Sequence, residues 1–123
     1  MLNCGDTFYW AESDDEEPHL RIIVTPPEAG EVAIVSVTSR HKKSETLVCL
    51  EVGDHPFIKH SSVIAYAYSK IVSVDEIELL LQSGSAKLKG PVNAPLLKRI
   101  QAGLLDSDFT PNGVRYFCRN LKP

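Results

Sequence analysis

Up to residue 73 the chain alternates short apolar runs with polar or turn-forming breaks. Thr7-Phe8-Tyr9-Trp10 is β-branched and aromatic and follows the turn pair Gly5-Asp6, so it reads as a strand. Residues 12–17 (Glu-Ser-Asp-Asp-Glu-Glu) and Pro18 form a polar loop. His19 to Thr25 reads as a second strand, closed by Pro26-Pro27, neither of which can donate to a ladder. After the turn Glu28-Ala29-Gly30, a third strand runs from Glu31 to Ser39. Its Ala33, Val35 and Val37 share one face, and Val32, Ile34, Ser36 and Thr38 the other. It begins apolar on both faces and ends polar, as does a strand running from an interior to a surface site. The basic loop Arg40-His41-Lys42-Lys43-Ser44 leads to a fourth strand, Thr46 to Val52. Gly53 to His60 is a compact turn, and Ser62 to Val72 supplies one or two more strands. Short strands at this spacing predict a barrel or sandwich.

After residue 73 the period becomes helical. Ser73-Val74-Asp75-Glu76 has the form of a capping box, Ile77, Leu80 and Leu81 follow at helical spacing, and Gly84 is a natural stop, which predicts a helix over 74–83. Residues 85–92, with Gly90-Pro91, read as a linker. Asn93 can cap a second helix over 93–105, with Pro95 in its first turn and Leu96, Leu97, Ile100 and Leu104 as its stripe. The reading is one mainly β (α+β) domain over 1–123. A small barrel of five to seven strands (1–73) carries two helices packed on its open side (74–105). A basic tail (106–123) can add an edge strand.

Length adds that one domain of 123 residues buries about two-thirds of its unfolded surface, so no metal or disulfide staple is needed. A formal charge of −3 excludes holding nucleic acid by bulk charge, though not by local basic patches. Cys4, Cys49 and Cys118 are few, odd in number and far apart, which predicts reduced thiols and a cytoplasmic location. The longest apolar runs, such as Val32-Ala33-Ile34-Val35, fall far short of the roughly 20 residues that cross a membrane. No signal peptide is expected from Met-Leu-Asn-Cys-Gly-Asp.

The densest candidate chemistry is Gly53-Asp54-His55-Pro56-Phe57-Ile58-Lys59-His60-Ser61-Ser62. A histidine pair can serve as general base and general acid near neutral pH. Equally, Asp54, Ser61 and Ser62 can satisfy backbone donors in a tight turn that Phe57 and Ile58 plug. A metal on His55 and His60 is disfavoured, because the spacing matches no helical ligand pair and no cysteine is near. His19 opens the second strand beside Pro18. Thr38 and Ser39 end the third, where hydroxyls can orient a phosphate or cap the turn. Arg40, Lys42 and Lys43, with Lys59 and Ser62 from the dense run, are candidate substrate contacts; as a loop, 40–43 is otherwise a solvated cluster. Acidic residues 12–17 read as a solvated mobile loop rather than a metal cage.

The order of these pieces resembles the PemK/MazF-type toxins of bacterial toxin–antitoxin systems. Gly5-Asp6 precedes an aromatic strand, a loop leads to Leu20-Arg21-Ile22-Ile23-Val24-Thr25, the third strand ends in Thr38-Ser39, and residues 73–84 form a helix ending in Ser-Gly. The Gly-Asp-His-Pro-Phe-Ile run is similar to an uncharacterised PemK-like subgroup, and the resemblance covers roughly residues 5 to 105. It implies an SH3-like β-barrel with appended helices, usually a homodimer, that cleaves single-stranded RNA in the cytoplasm without metal or cofactor and is blocked by an antitoxin protein. The family's threonine or serine falls on Thr38-Ser39. Its arginine before a proline falls on His19-Leu20, a departure, since histidine can be neutral where arginine is charged. On that reading His55 or His60 is the base, His19 the acid or phosphate stabiliser, and Thr38, Ser39 and Arg40 support the phosphate. The alternative is a catalytically inactive SH3-like barrel that binds protein or nucleic acid; inhibition of a protein target such as a topoisomerase is a third reading from the same fold superfamily.

Overall fold

A computed structural model describes residues 2–123. β1 (Thr7–Trp10) and β2 (His19–Ile23) pair antiparallel, with Trp10 opposite His19 and Phe8 opposite Arg21. β3 (Glu31–Ser39) lies against β2, with Arg21 opposite Ser36 and Leu20 opposite Val37. β4 (Cys49–Leu50) pairs with β5 (Ser62–Ser73), which also pairs with β3. β5 is one continuous strand, because a register shift between Ile34 and Ser36 lets the ladder bend without breaking. With β6 (Ala86–Lys89) beside β1, the sheet order is β4-β5-β3-β2-β1-β6. The two ends do not pair, so the sheet is a half-barrel with two edges.

Three segments differ from expectation. The fourth strand is shorter than Thr46 to Val52. The Glu51 backbone N–H donates to the Asp54 carboxylate at 2.8 Å and the Asp54 N–H returns to the Glu51 carbonyl at 3.0 Å, so the chain turns there. The 85–92 linker contains β6, whose only buried side chain is Ala86. The tail adds no edge strand. Asn112–Phe117 is a short helix, α3, and Val114 and Cys118 bury the same side of it, four residues apart.

α1 (Val74–Ser83) starts where the Ser73 hydroxyl accepts from the Glu76 N–H at 3.0 Å and stops at Gly84, whose φ of +83° suits glycine. α2 (Ala94–Asp106) starts where Asn93 Oδ1 accepts from the Leu96 N–H at 2.8 Å. The helices join different cores rather than sharing one open side. Ile77 of α1 packs with Phe8, Trp10, Ile23, Val32, Ile34 and Val72. Leu96, Ile100 and Leu104 of α2 pack with Leu20, Ile22, Val35, Val37, Ile64 and Tyr66, and α3 adds Val114. Strand alternation explains the division: even and odd residues of β3 face opposite cores. On the Ile23 and Ile34 side, β2 and β3 turn polar at Arg21, His19, Ser36 and Thr38. No helix among the described residues is long and apolar enough to cross a membrane.

Candidate active site

Alternation puts His19 and Arg21 on one face of β2, and Ser36 and Thr38 on the same face of β3. With Glu12, Glu16, Tyr68 and Lys70 they line a cleft of about 680 Å³. A second cleft, of about 330 Å³, adjoins it through the shared His19 and Thr38, and Ser39, Phe57, Lys59, His60 and Ser62 contribute to its wall. There the Ser39 hydroxyl and His60 Nε2 lie 2.6 Å apart, a hydrogen bond whose donor is set by the imidazole tautomer. The buried Ser62 hydroxyl donates to the His60 carbonyl at 2.9 Å and fixes the backbone beneath that ring.

Six candidates, His19, Thr38, Ser39, Lys59, His60 and Ser62, therefore meet in one cleft. His55 stays apart. It is buried, its Nδ1 accepts from the Phe57 N–H at 3.0 Å, and its Nε2 must then carry the proton that it donates to the Gly90 carbonyl at 2.6 Å. Both ring nitrogens are engaged in tying the 53–60 turn to the segment after β6. Arg40 and Lys42 are exposed and line neither cleft. Lys43 faces a third, with Thr38, Tyr68 and Phe109. Among the described residues, no group of three His, Cys, Asp or Glu side chains converges to hold a metal ion.

Arg21 is the residue that sequence reasoning missed. Flanked by Leu20 and Ile22, it reads as strand interior, yet its side chain is a cation only 3% exposed at the floor of the larger cleft. Nη1 donates to the Ser36 hydroxyl at 2.9 Å and Nη2 to the Trp10 carbonyl at 3.3 Å, while the guanidinium lies 5.2 Å from the Trp10 ring centre. Among the described residues, Nε is buried without a hydrogen-bond partner. The acidic loop is not simply solvated. It folds back, bringing Glu12 to 3.5 Å and Glu16 to 3.7 Å from the guanidinium, and Glu12 to 2.9 Å from Lys70. Burial pushes the Arg21 pKa down, and the two carboxylates push it back up. A signal did exist: a charge inside an apolar strand, on the face of His19, needs a polar neighbour, and Ser36 in β3 is the polar position among apolar ones.

No family model matches the sequence, and no curated protein matches it. Solved structures do share its architecture. An endoribonuclease in complex with its cognate antitoxin, from a mycobacterial species, superposes with a TM-score of 0.56 at 15% identity, over 85% of this chain and 92% of that one. MazE–MazF from Deinococcus radiodurans superposes with a TM-score of 0.56 at 13% identity, over the same shares. The chain has a MazF-type fold. In that fold the cleft described above lies at the polar end of β2 and β3, where the acidic loop, the β3 terminus and the 53–60 turn meet.

Proposed function

We propose that the protein is a toxin-like endoribonuclease that cuts single-stranded RNA without metal or cofactor, acts as a homodimer in the cytoplasm and is restrained by an antitoxin partner. The observation that carries this reading is the 2.6 Å Ser39–His60 hydrogen bond in a cleft that His19 and Thr38 also line. His60 takes the proton from a ribose 2′-OH. The 2′-oxygen forms a bond to the adjacent phosphorus, the bond from phosphorus to the 5′-oxygen breaks, and His19 protonates that leaving oxygen. The products are a 2′,3′-cyclic phosphate and a 5′-hydroxyl. Imidazoles suit both proton transfers near neutral pH. Thr38 and Ser39 donate to the phosphate oxygens as charge builds there, and Lys59 attracts the strand. The fold shared with an endoribonuclease held by its antitoxin supports both the activity and the partner, and the PemK-like subgroup resemblance points the same way.

The test is cleavage of single-stranded RNA with mapping of the new ends. Wild type should yield cyclic phosphate ends at an unchanged rate in EDTA, with a bell-shaped dependence on pH. His60→Ala and His19→Ala should each lose roughly 10²- to 10⁴-fold in rate. Loss of activity in EDTA would replace this mechanism by a metal-dependent one. The carboxylates lying over Arg21 favour a second reading, a barrel that binds nucleic acid or protein without cutting. RNA bound with its ends intact across the pH range would establish that instead.

A further inference from the structure

The bond-breaking step uses only the smaller cleft, which leaves the Arg21 and Lys70 cleft without a role. Its floor is built rather than accidental. Arg21 is held by Ser36 and by the Trp10 carbonyl, so its position does not depend on the loop above it. A guanidinium has five N–H donors, and those two bonds use two of them. Nε makes none. The Glu12 and Glu16 carboxylates, at 3.5 and 3.7 Å, stand beyond the 2.7–2.9 Å of a well-made charge-assisted hydrogen bond. They neutralise the two cations without satisfying the guanidinium. Both glutamates sit on an exposed loop, with side chains 38% and 40% exposed, so they can leave while Arg21 stays.

We propose that Arg21 and Lys70 form a second phosphate subsite, for a phosphodiester neighbouring the scissile one, and that Glu12 and Glu16 occupy it as carboxylate placeholders until the RNA displaces them. The proposal rests on the RNA-cleaving reading of the adjoining cleft. Continuity supports it: His19 and Thr38 line both clefts, so one strand can place successive phosphates in them. The chemistry supports it too, because a planar guanidinium backed by an ammonium matches an oxyanion bearing several acceptors. Arg21 and Lys70 carry two positive charges against two negative charges on Glu12 and Glu16. An incoming phosphate therefore competes with the carboxylates instead of adding to a bare positive site. The device makes RNA affinity depend on the protein's own loop.

The protein carries its own reporter. Trp10 is the only tryptophan, and the Arg21 guanidinium and Lys70 ammonium lie 5.2 and 5.3 Å from its ring. The probe is a short single-stranded oligodeoxynucleotide, which lacks the 2′-OH and so cannot be cut by the proposed step, titrated into full-length protein with tryptophan emission recorded. Saturable binding should change that emission. Glu12→Gln with Glu16→Gln should tighten binding on the order of tenfold, since two competing charges are gone. Lys70→Gln should weaken it severalfold and lower the slope of log affinity against log salt by about 0.7, the loss of one phosphate contact on a single strand. Arg21→Lys is a secondary variant, because burial exposes it to folding defects; the half-exposed Lys70, Glu12 and Glu16 carry the test. Equal oligonucleotide affinity in wild type and all these variants overturns the subsite, even if RNA is still cut. The expected ranking with no RNA cleavage keeps the subsite and removes the nuclease reading. An acidic peptide that changes Trp10 emission and binds more tightly than the oligonucleotide overturns the phosphate assignment in favour of a protein partner's carboxylates.

Discussion

His55 and His60 stand five residues apart in one run and have opposite surroundings. His60 is exposed and bonded to Ser39, whereas His55 is buried with both nitrogens engaged. His55→Ala leaves the Phe57 N–H unpaired and removes one of the two hydrogen bonds to the Gly90 carbonyl, which keeps the Thr7 hydroxyl at 2.7 Å, a loss of about 1–3 kcal/mol. His60→Ala should leave the melting midpoint nearly unchanged while cleavage falls, so calorimetry beside the RNA assay separates the two. A midpoint unmoved by His55→Ala would refute the tie between the turn and Gly90. Sequence marked the run as dense in chemistry, but the two roles are assigned by contacts 21 and 35 residues away, to Ser39 and Gly90. Residue burial also sets a pH limit. Burial pushes the Cys118 thiol from 9.0 up to about 11 and raises the Tyr66 phenol as well. Both are acids whose charged form the fold disfavours. Above pH 9 the unfolded chain releases protons that the folded chain keeps, so stability falls as pH rises from about 9 towards 11. Cys118 alone accounts for a loss on the order of 2 kcal/mol. Urea midpoints at about pH 8 and 10.5 should show this decline, and Cys118→Ala should reduce it.

Between elements, α2 meets β5 where Gly103 lies against the Tyr66 side chain. A Cβ at Gly103 would overlap the Tyr66 hydroxyl and lie 2.7 Å from Val48 Cγ2. That hydroxyl donates to the Ile100 carbonyl at 2.8 Å. Alanine in place of a helical glycine ordinarily gains about 0.5–1 kcal/mol. Here overpacking costs about 1–3 kcal/mol, and losing the phenol's bond costs about 1 more. Gly103→Ala should therefore destabilise, and adding Tyr66→Phe should recover part of the loss, a coupling that a double-mutant cycle reads directly. Additive effects would show that the phenol is not what the Cβ strikes. The helices themselves were legible because their signals are local: Ser73 with Glu76, and Asn93 with Leu96, lie within one turn. That the two helices cover opposite faces of the sheet was not legible, because it depends on which face of β3 each stripe meets. β6 and α3 were not legible for a different reason. β6 is a strand by virtue of pairing with β1 and buries only Ala86 among its side chains, while α3, at six residues, is too short to display a period. The Arg21 cleft stayed hidden because its meaning depends on the register that sets Arg21 opposite Ser36.

At the scale of the molecule, the question is how two copies of the proposed homodimer meet. The sheet's edges are poor candidates. β4 has two residues, and β6 is short and carries Lys87 and Lys89, features that discourage edge-to-edge pairing. A face offers more. Tyr68 and Phe109, 70% and 63% exposed, line the third cleft together with Lys43 and Glu45, so large apolar surface lies beside charges of both signs, as a self-complementary contact requires. Thr38 lines this cleft and both of the others. Pairing here would bring the proposed RNA clefts of two copies near one axis, giving a single strand a continuous path. Light scattering at tens of micromolar, well above typical dimer constants, should then give twice the chain mass of 13.6 kDa. Phe109→Ser should shift the mass towards the single chain while leaving the melting midpoint of the isolated subunit little changed, because its ring is mostly in water. A wild-type mass of one chain at that concentration would remove the homodimer. A dimer indifferent to Phe109→Ser would move the contact away from this face and leave each proposed RNA cleft to act within its own subunit.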